Sequence, residues 1–462
     1  MADSLYLGAV PSGPAWAAPE SHVLVLAPPR AGKTTSLVIP NVLVSEQPVV
    51  STSTKPDVLE ATLARRSALG RCWLFDPSGE VEVPPGVTPL RWSPVAASLS
   101  WRTAQRTAAV MGAAAHPARG LLDADHWTRR AEALLSTFLH AAALDGLSIE
   151  DVVRWTNLRD LAPAEAILAR HGGGLPADVS RGLSTGDFRE VSAAVSTAQT
   201  ILGGYQTEEA LAAARDVNFD PADFVASTDT VYLYASSRDQ ALVAPLVVGL
   251  IEQICTEAYT RSRSTDPGTR AAMLGRPVLL ALDEVANIAP LSGLPEMLSE
   301  GGSQGLLILA CIQDMGQAAS RWGPGVAKQF FTLFASKLVL PGVSDPETLE
   351  AFSVLAGEID VPVRSVSRTG PWWLSRGAST TTWSTRRQRR LSPADIRGGR
   401  GDEALHFEGG LAPARVRLTP YHEAWPWREL AGGPRAVERG RPGPLRPPLG
   451  RARERDGPGS GR

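Results

Sequence analysis

Cysteine, lysine and long apolar runs are scarce in this chain of 462 residues, and the first and last of these shortages each remove a class of protein. The three cysteines, Cys72, Cys255 and Cys311, lie far apart, each in or beside an apolar run, and none forms a C-x-x-C pair. That reads as buried thiols in a reducing cytosol. No cluster among the seven histidines and three cysteines has zinc-ligand spacing, so a protein-ligated metal site is not expected. Only Lys33, Lys55, Lys328 and Lys337 supply lysine among 46 basic residues, while alanine is abundant, which describes a GC-rich genome rather than a function. No stretch reaches the ~18 to 20 consecutive apolar residues that cross a bilayer. Val278 to Leu282 and Leu306 to Cys311 are far shorter, so no membrane span is expected. The opening residues, Met1 to Glu20, carry Asp3 and no basic n-region, so no secretory signal is expected either.

The length suits two compact units plus tails, and a composition of 43% hydrophobic and 20% charged residues is that of a folded protein. A formal net charge of -2 gives no overall attraction to polyanions, so nucleic-acid contact would need a concentrated basic surface.

Order is expected to begin with the apolar run His22 to Ala27, after a lead (1–21) rich in Pro, Gly and Ala. A Gly-Lys-Thr-Thr turn, a helical Thr35 to Val44 and a strand near Pro48 to Thr52 follow as β-α-β, then a helical Pro56 to Ala68 and a strand Cys72 to Phe75. A parallel sheet is the consequence. From about Trp101 the pattern turns helical, through Arg129 to Leu144, Ser148 to Trp155, Pro163 to Ala169 and Val191 to Leu202, broken by a loop at His171 to Pro176. Strand patterns return at Thr230 to Tyr234, Pro277 to Leu282, Leu306 to Ile312 and Lys337 to Leu340, separated by helical Leu242 to Tyr259 and Asp345 to Leu355. The fold class is therefore α/β: one nucleotide-binding core, 22–95 and 228–430, carrying an inserted all-α domain, 96–227. The stretch 431–462 is Gly, Pro and Arg with almost no apolar residues, and reads as a disordered tail.

Ala27-Pro28-Pro29-Arg30-Ala31-Gly32-Lys33-Thr34-Thr35 follows the first buried strand and opens a helix, the context of a phosphate-binding loop. In such a loop backbone N–H groups face the phosphates of ATP, Lys33 reaches the β- and γ-phosphates, and the Thr34 hydroxyl ligates Mg2+. Ala27 replaces the usual first glycine, which the loop accepts if φ stays negative there. Val278 to Leu282 ends in Asp283-Glu284, as a Walker B strand does. Asp283 would hold the Mg2+ through water and Glu284 would orient and deprotonate the attacking water. Paired acids after a strand also serve as helix caps, and it is their company with the phosphate loop that favours catalysis. Gln313, ending the strand from Leu306, is a candidate sensor of the γ-phosphate or of the lytic water, the other reading being a polar residue that starts a loop. Asp76, Lys55 and Asp57 end or follow other strands and are weaker candidates for the same crevice.

At these residues the sequence resembles the TraG/TraD-like coupling proteins of type IV secretion, in the FtsK/HerA branch of RecA-like P-loop motors. The resemblance rests on the phosphate loop continued by Ser36-Leu37-Val38-Ile39-Pro40-Asn41, and on Ser53-Thr54-Lys55-Pro56-Asp57 leading to Trp73-Leu74-Phe75-Asp76-Pro77. It continues in Leu282-Asp283-Glu284-Val285-Ala286-Asn287-Ile288-Ala289-Pro290 and in the run from Leu294-Pro295 through Ser299-Glu300-Gly301-Gly302-Ser303-Gln304-Gly305 to Gln313 and Arg321-Trp322-Gly323. It implies a RecA-like P-loop NTPase with a mostly parallel central sheet and an all-α domain that recognises relaxase or DNA. It further implies a homo-hexamer with DNA in its channel, partners in the type IV secretion machinery, and ATP with Mg2+ between neighbouring subunits. Arg321 is then a candidate for the arginine offered to the neighbour's γ-phosphate, with Arg397 a competitor.

The family's members typically begin with transmembrane helices that this sequence lacks, so the resemblance implies a cytoplasmic protein with indirect or no membrane attachment. Between Val361 and Arg400, Arg364, Arg368, Arg376, Arg386, Arg387, Arg389 and Arg390 interleave with Trp372, Trp373 and Trp383. This suits phosphate contact and base stacking on DNA, and equally an exposed loop whose tryptophans pack on the core. The alternatives to a coupling protein are another DNA-pumping ATPase of the FtsK/HerA type and a non-catalytic nucleotide-binding scaffold.

Overall fold

The computed structural model describes residues 4–115, 122–369 and 378–432. Trp372, Trp373, Arg376 and the tail from residue 433 onward lie outside the described residues.

The segment expected to be an unstructured lead holds two strands, β1 (Tyr6–Val10) and β2 (Gly13–Trp16), paired antiparallel. Order therefore begins before His22. The physical reason is a side chain far along the chain: buried Asn41 accepts from the Tyr6 N–H at 2.8 Å and donates to the Tyr6 carbonyl at 3.0 Å. Tyr6 also stacks at 4.8 Å on Trp427 and at 5.7 Å on Trp16, with Leu5 and Leu7 buried beside it.

From there the chain runs through β3 (Val23–Leu26), α1 (Ile39–Val44), β4 (Val49–Ser53), α2 (Asp57–Ser67), β5 (Cys72–Phe75) and β6 (Val87–Pro89). The residues just before α1, Thr34–Val38, form a π-helical turn in which the Ile39 N–H reaches back to the Thr34 carbonyl. Pro40 lacks the N–H that would close an ordinary turn at this point, which accounts for the wider one.

The stretch 96–227 contains α3 (Trp101–Ala115), α4 (Leu122–Leu144), α5 (Ile149–Leu158), α6 (Ala162–Arg170), α7 (Gly174–Ser184), α8 (Phe188–Ile201), α9 (Glu208–Ala212) and α10 (Pro221–Val225), with no strand among its described residues. The loop expected at His171 to Pro176 is shorter than its composition suggests. Gly172, Gly173 and Gly174 all take positive φ, and α7 starts at the last of them.

The second half comprises β7 (Thr230–Tyr234), α11 (Gln240–Ser262), α12 (Pro267–Gly275), β8 (Val278–Leu282), α13 (Val285–Ile288), α14 (Leu294–Glu300), β9 (Leu306–Ile312), α15 (Met315–Trp322), α16 (Pro324–Leu333) and β10 (Ser336–Val339). It ends with α17 (Pro346–Leu355), β11 (Glu358–Thr369), β12 (Ala378–Arg389), α18 (Pro393–Arg397), β13 (Glu403–Glu408), β14 (Ala414–Arg417) and α19 (Trp427–Leu430).

The main sheet has the order β2-β1-β14-β13-β10-β3-β9-β8-β4-β7-β5-β6. From β10 to β6 every neighbour pairs parallel, and β13, β14, β1 and β2 extend the β10 edge antiparallel. Strands β3, β4, β5, β8, β9 and β10 are buried along their whole length, as strands between two covered faces are. One face packs on α1, α2 and α19, and the other on α11 and the helices of 96–227, which share a continuous apolar core with it. Trp92 is the joint: its indole N–H donates to Gln253 at 2.6 Å, and a Cβ on Gly249 of α11 would sit 2.7 Å from its ring. No residue but glycine fits there without moving the tryptophan.

The apolar stretch in α11 escapes a search for unbroken apolar runs, yet with a mean hydropathy of 1.5 this helix of 23 residues is long and apolar enough to cross a membrane. Its 72% burial inside the fold marks it as the helix around which the core is built.

Candidate active site

β3 delivers the phosphate loop at its carboxyl end. Ala27 is fully buried, its N–H donates to the Ile312 carbonyl of β9 at 3.0 Å, and it is not among the residues with positive φ, so the missing glycine costs nothing here. The left-handed positions are Arg30 (φ 65) and Gly32 (φ 82), which turn the chain back so that Gly32 O accepts from the Ser36 N–H at 2.9 Å and starts the helix. Pro28, Pro29 and Ala31 complete the turn, and the Thr35 hydroxyl closes it on Gly32 O at 3.2 Å.

Lys33 is the first helical side chain and is only 7% exposed. Its Nζ lies 3.3 Å from Glu284 Oε1 and 3.4 Å from Asp283 Oδ1. The Thr34 hydroxyl donates to Asp283 Oδ2 at 2.6 Å, and the Thr52 hydroxyl of β4 holds the Asp283 carbonyl at 3.0 Å. Burial pulls the Lys33 pKa down, but the two carboxylates together outweigh it, so the ammonium is held charged. For Asp283 burial is the largest influence and pushes its carboxyl above the usual range, against Lys33 and Thr34.

Glu284 stands in the left-handed region, φ 55 and ψ 49, a conformation that a glutamate holds only where its surroundings dictate it. Oε1 faces Lys33, while Oε2 accepts from Asn287 Nδ2 at 3.5 Å. Asn287 Oδ1 in turn accepts from Gln317 Nε2 at 3.5 Å, and Gln317 Oε1 accepts from the Gln313 N–H at 2.9 Å. Because β9 runs between β3 and β8, Gln313 emerges between the phosphate loop and the two acids. Asn287 carried no assigned role and Gln317 escaped the sequence reading altogether. The one available signal was the spacing of Gln313 and Gln317, a single helical turn.

Other candidates are placed differently. Arg321, in the last turn of α15, donates from Nη2 to the Ala114 carbonyl of α3 at 2.7 Å, so within this chain it is tied to the helical region. Arg397 is exposed at the end of α18. Asp76 spends both carboxylate oxygens on its own turn, accepting from the N–H groups of Ser78, Gly79 and Val81. Lys55 and Asp57 follow β4, the neighbour of β8, on the same rim of the sheet, and Asp57 accepts from Ser53.

The donor set suits Mg2+ carried with a nucleotide rather than a metal held by protein alone. Asp283 Oδ1 is buried and has no hydrogen-bond donor, its contact with Lys33 being ionic only, so a lone pair is left for a metal-bound water beside the Thr34 hydroxyl. No group of three or more His, Cys, Asp or Glu side chains able to hold a metal occurs among the described residues.

A family model described as type IV secretory system conjugative DNA transfer matches residues 3–434. The chain belongs to that family. Among curated relatives of the conjugative transfer family, a probable conjugal transfer protein TraG of Sinorhizobium fredii (strain NBRC 101917 / NGR234) is 27% identical over 164 residues, 35% of this chain and 25% of the relative. A conjugal transfer protein TraG of Rhizobium radiobacter is 30% identical over 138 residues, 30% of this chain and 21% of the relative. The aligned part thus spans about a quarter of those relatives' length. Among solved structures, the bacterial conjugative coupling protein TrwBdeltaN70 superposes with a TM-score of 0.66 at 20% identity, covering 87% of this chain and 85% of that one. TrwB in complex with ADP and Mg2+ gives 0.64 at 20% identity, over 87% and 85% of the two chains. The likeness establishes the RecA-like α/β fold expected from the sequence.

Proposed function

We propose that this member of the conjugative DNA transfer family is an ATP-driven DNA translocase, a coupling protein that feeds DNA or a relaxase–DNA substrate into a type IV secretion channel. The observation that carries the reading is the convergence of Lys33, Thr34, Asp283 and Glu284 from two segments some 250 residues apart, at 2.6 to 3.4 Å from one another. A TrwB structure in complex with ADP and Mg2+ supports the choice of ligand.

In this mechanism the loop N–H groups and Lys33 bind the β- and γ-phosphates, Lys33 exchanging its carboxylate partners for phosphate oxygens. Thr34 and Asp283 would hold the Mg2+ of the nucleotide. Its chemistry there would be neutralisation of charge on the phosphates. Glu284 orients a water and accepts its proton, with Asn287 and Gln317 fixing the carboxylate and Gln313 facing the same space. Assembly as a homo-hexamer with DNA in the channel would place each site at a subunit boundary, with Arg321 or Arg397 offered from the neighbour. For Arg321 this requires release from Ala114. The helices of 96–227 serve as the surface that recognises relaxase or DNA, and the working location is the cytoplasmic side of the cell membrane.

The test is ATP hydrolysis with and without single-stranded and double-stranded DNA, beside Glu284→Gln. Turnover that rises with DNA and disappears in the variant, while the variant still binds ATP, is expected. Nucleotide binding with no turnover at any DNA or salt condition would leave a scaffold as the better reading.

A further inference from the structure

By sequence, the basic stretch between Val361 and Arg400 suits either a DNA contact or a loop packed on the core. Its described strands, Glu358–Thr369 and Ala378–Arg389, are neither a loop nor a packed segment, and Trp372 and Trp373 lie outside the described residues. β11 and β12 pair antiparallel over their full 12 residues each, from Glu358↔Arg389 to Thr369↔Ala378, as a sheet of their own. At about 3.3 Å per residue this arm is about 40 Å long. Beyond Val361, which is half-buried, its described side chains are exposed on both faces, including Trp383 at 66%. A two-stranded ribbon with no core of its own is marginal in water, so an arm of this length asks for a partner.

Charge identifies that partner. At the base, Arg387 lies near Glu358 and Asp360, and Arg389 pairs with Glu350 of α17. Farther out, Val361–Thr369 and Ala378–Arg386 contain Arg364, Arg368 and Arg386 and no Asp or Glu. Arg364 and Arg386 have no acidic partner among the described residues. Arg364 faces Trp383 directly across the ribbon, so the two share one face, while Arg386 lies on the other beside Val361. Unpaired guanidinium groups next to an exposed indole match a phosphate backbone whose bases are free to stack, which a duplex does not offer.

The root of the arm reaches the nucleotide site. Arg389 holds Glu350 at 2.5 and 2.6 Å, Ser353 donates to the Leu391 carbonyl at 2.7 Å, and Thr348 of the same helix accepts from the Met315 N–H at 3.0 Å. Met315 opens α15, the helix that carries Gln317.

We propose that the β11–β12 arm is a single-stranded DNA-binding element, with Trp383 stacking on a base and Arg364 and Arg386 on backbone phosphates. This rests on the motor reading above and adds to it the residues that grip the strand.

Binding of the full chain to a fluorescent oligodeoxythymidylate is measured from low to high salt, for Trp383→Ala, Trp383→Phe and the double variant Arg364→Ala/Arg386→Ala, with circular dichroism confirming the fold of each. Loss of one stacked base weakens binding about tenfold in Trp383→Ala, and Trp383→Phe retains most of it. Loss of two phosphate contacts flattens the slope of log affinity against log salt by about 1.4. Single-strand stimulation of ATP hydrolysis falls with affinity. Unchanged affinity and slope overturn the proposal. So does equal binding of duplex that ignores Trp383→Ala, and so does loss of binding to phosphatidylserine vesicles with oligonucleotide binding intact, which would make the arm a membrane contact. Absence of hydrolysis by the unaltered protein counts against the motor reading alone, because strand affinity is read independently of turnover.

Discussion

Arg66 is a cation with no measurable exposure, and replacing it tests how the strands beside the site are held. It sits in the last turn of α2 and makes no ion pair among the described residues. Instead its guanidinium serves backbone and hydroxyl acceptors: Nε donates to Thr230 Oγ1 at 2.6 Å, Nη1 to the Ser45 carbonyl, and Nη2 to the Gln47 and Thr228 carbonyls, both at 2.9 Å. It therefore joins the connection entering β4 to the start of β7, and β4 carries the Thr52 that holds Asp283. Burial lowers its pKa, yet an arginine starts so high that it stays charged.

In Arg66→Met the volume is nearly kept and every donor is lost. Three buried carbonyls are stranded, each costing about 1 to 3 kcal/mol, and removal of the buried charge returns part of this. A net loss of about 3 kcal/mol follows. Arg66→Lys keeps the charge but not the planar fork, and loses roughly half as much. Urea unfolding followed by tryptophan fluorescence gives the shift in midpoint at unchanged slope, and hydrogen exchange of the β4 and β7 amides locates it. A shift below about 1 kcal/mol in Arg66→Met, with those amides still protected, would show that the carbonyls find other donors and would refute the reasoning.

Two further outcomes follow from the same kind of accounting. Burial depresses the His22 pKa from 6.5 to about 4, and its Nδ1 accepts from the Ile308 N–H at 3.2 Å. The folded state disfavours the proton, so this stability is complete above pH 6.5 and is lost as pH falls toward 4. At about 1.4 kcal/mol per pH unit the loss approaches about 3 kcal/mol, and melting temperatures across that window should fall less steeply in His22→Leu than in the unaltered protein. Gln317→Leu breaks the link between the Gln313 backbone and Asn287 without touching Lys33 or Asp283. Turnover should drop about tenfold or more with nucleotide affinity kept, and a matching loss of affinity would mean that Gln317 only supports the fold.

What was legible in the sequence divides along physical lines. Strands β3, β5, β7, β8 and β9 are short apolar runs because both faces of the sheet are covered, and a residue buried on either side leaves its mark in composition. Lys33, Thr34, Asp283 and Glu284 were legible for a related reason: each ends or follows such a strand, and a parallel sheet brings those ends to one rim. β14, with the sequence Ala-Arg-Val-Arg and a single buried residue, offers no such run, and it joins the sheet because β13 and β1 complete its hydrogen bonds. The β11–β12 arm is farther from reach, since with solvent on both faces nothing selects apolar residues at any period and only pairing sets its register. The link from Glu284 through Asn287 to Gln317 depends on β9 lying between β3 and β8. That order follows from how the whole sheet closes, so the residues linked to the Glu284 carboxylate could be found only after the strands had been placed beside one another.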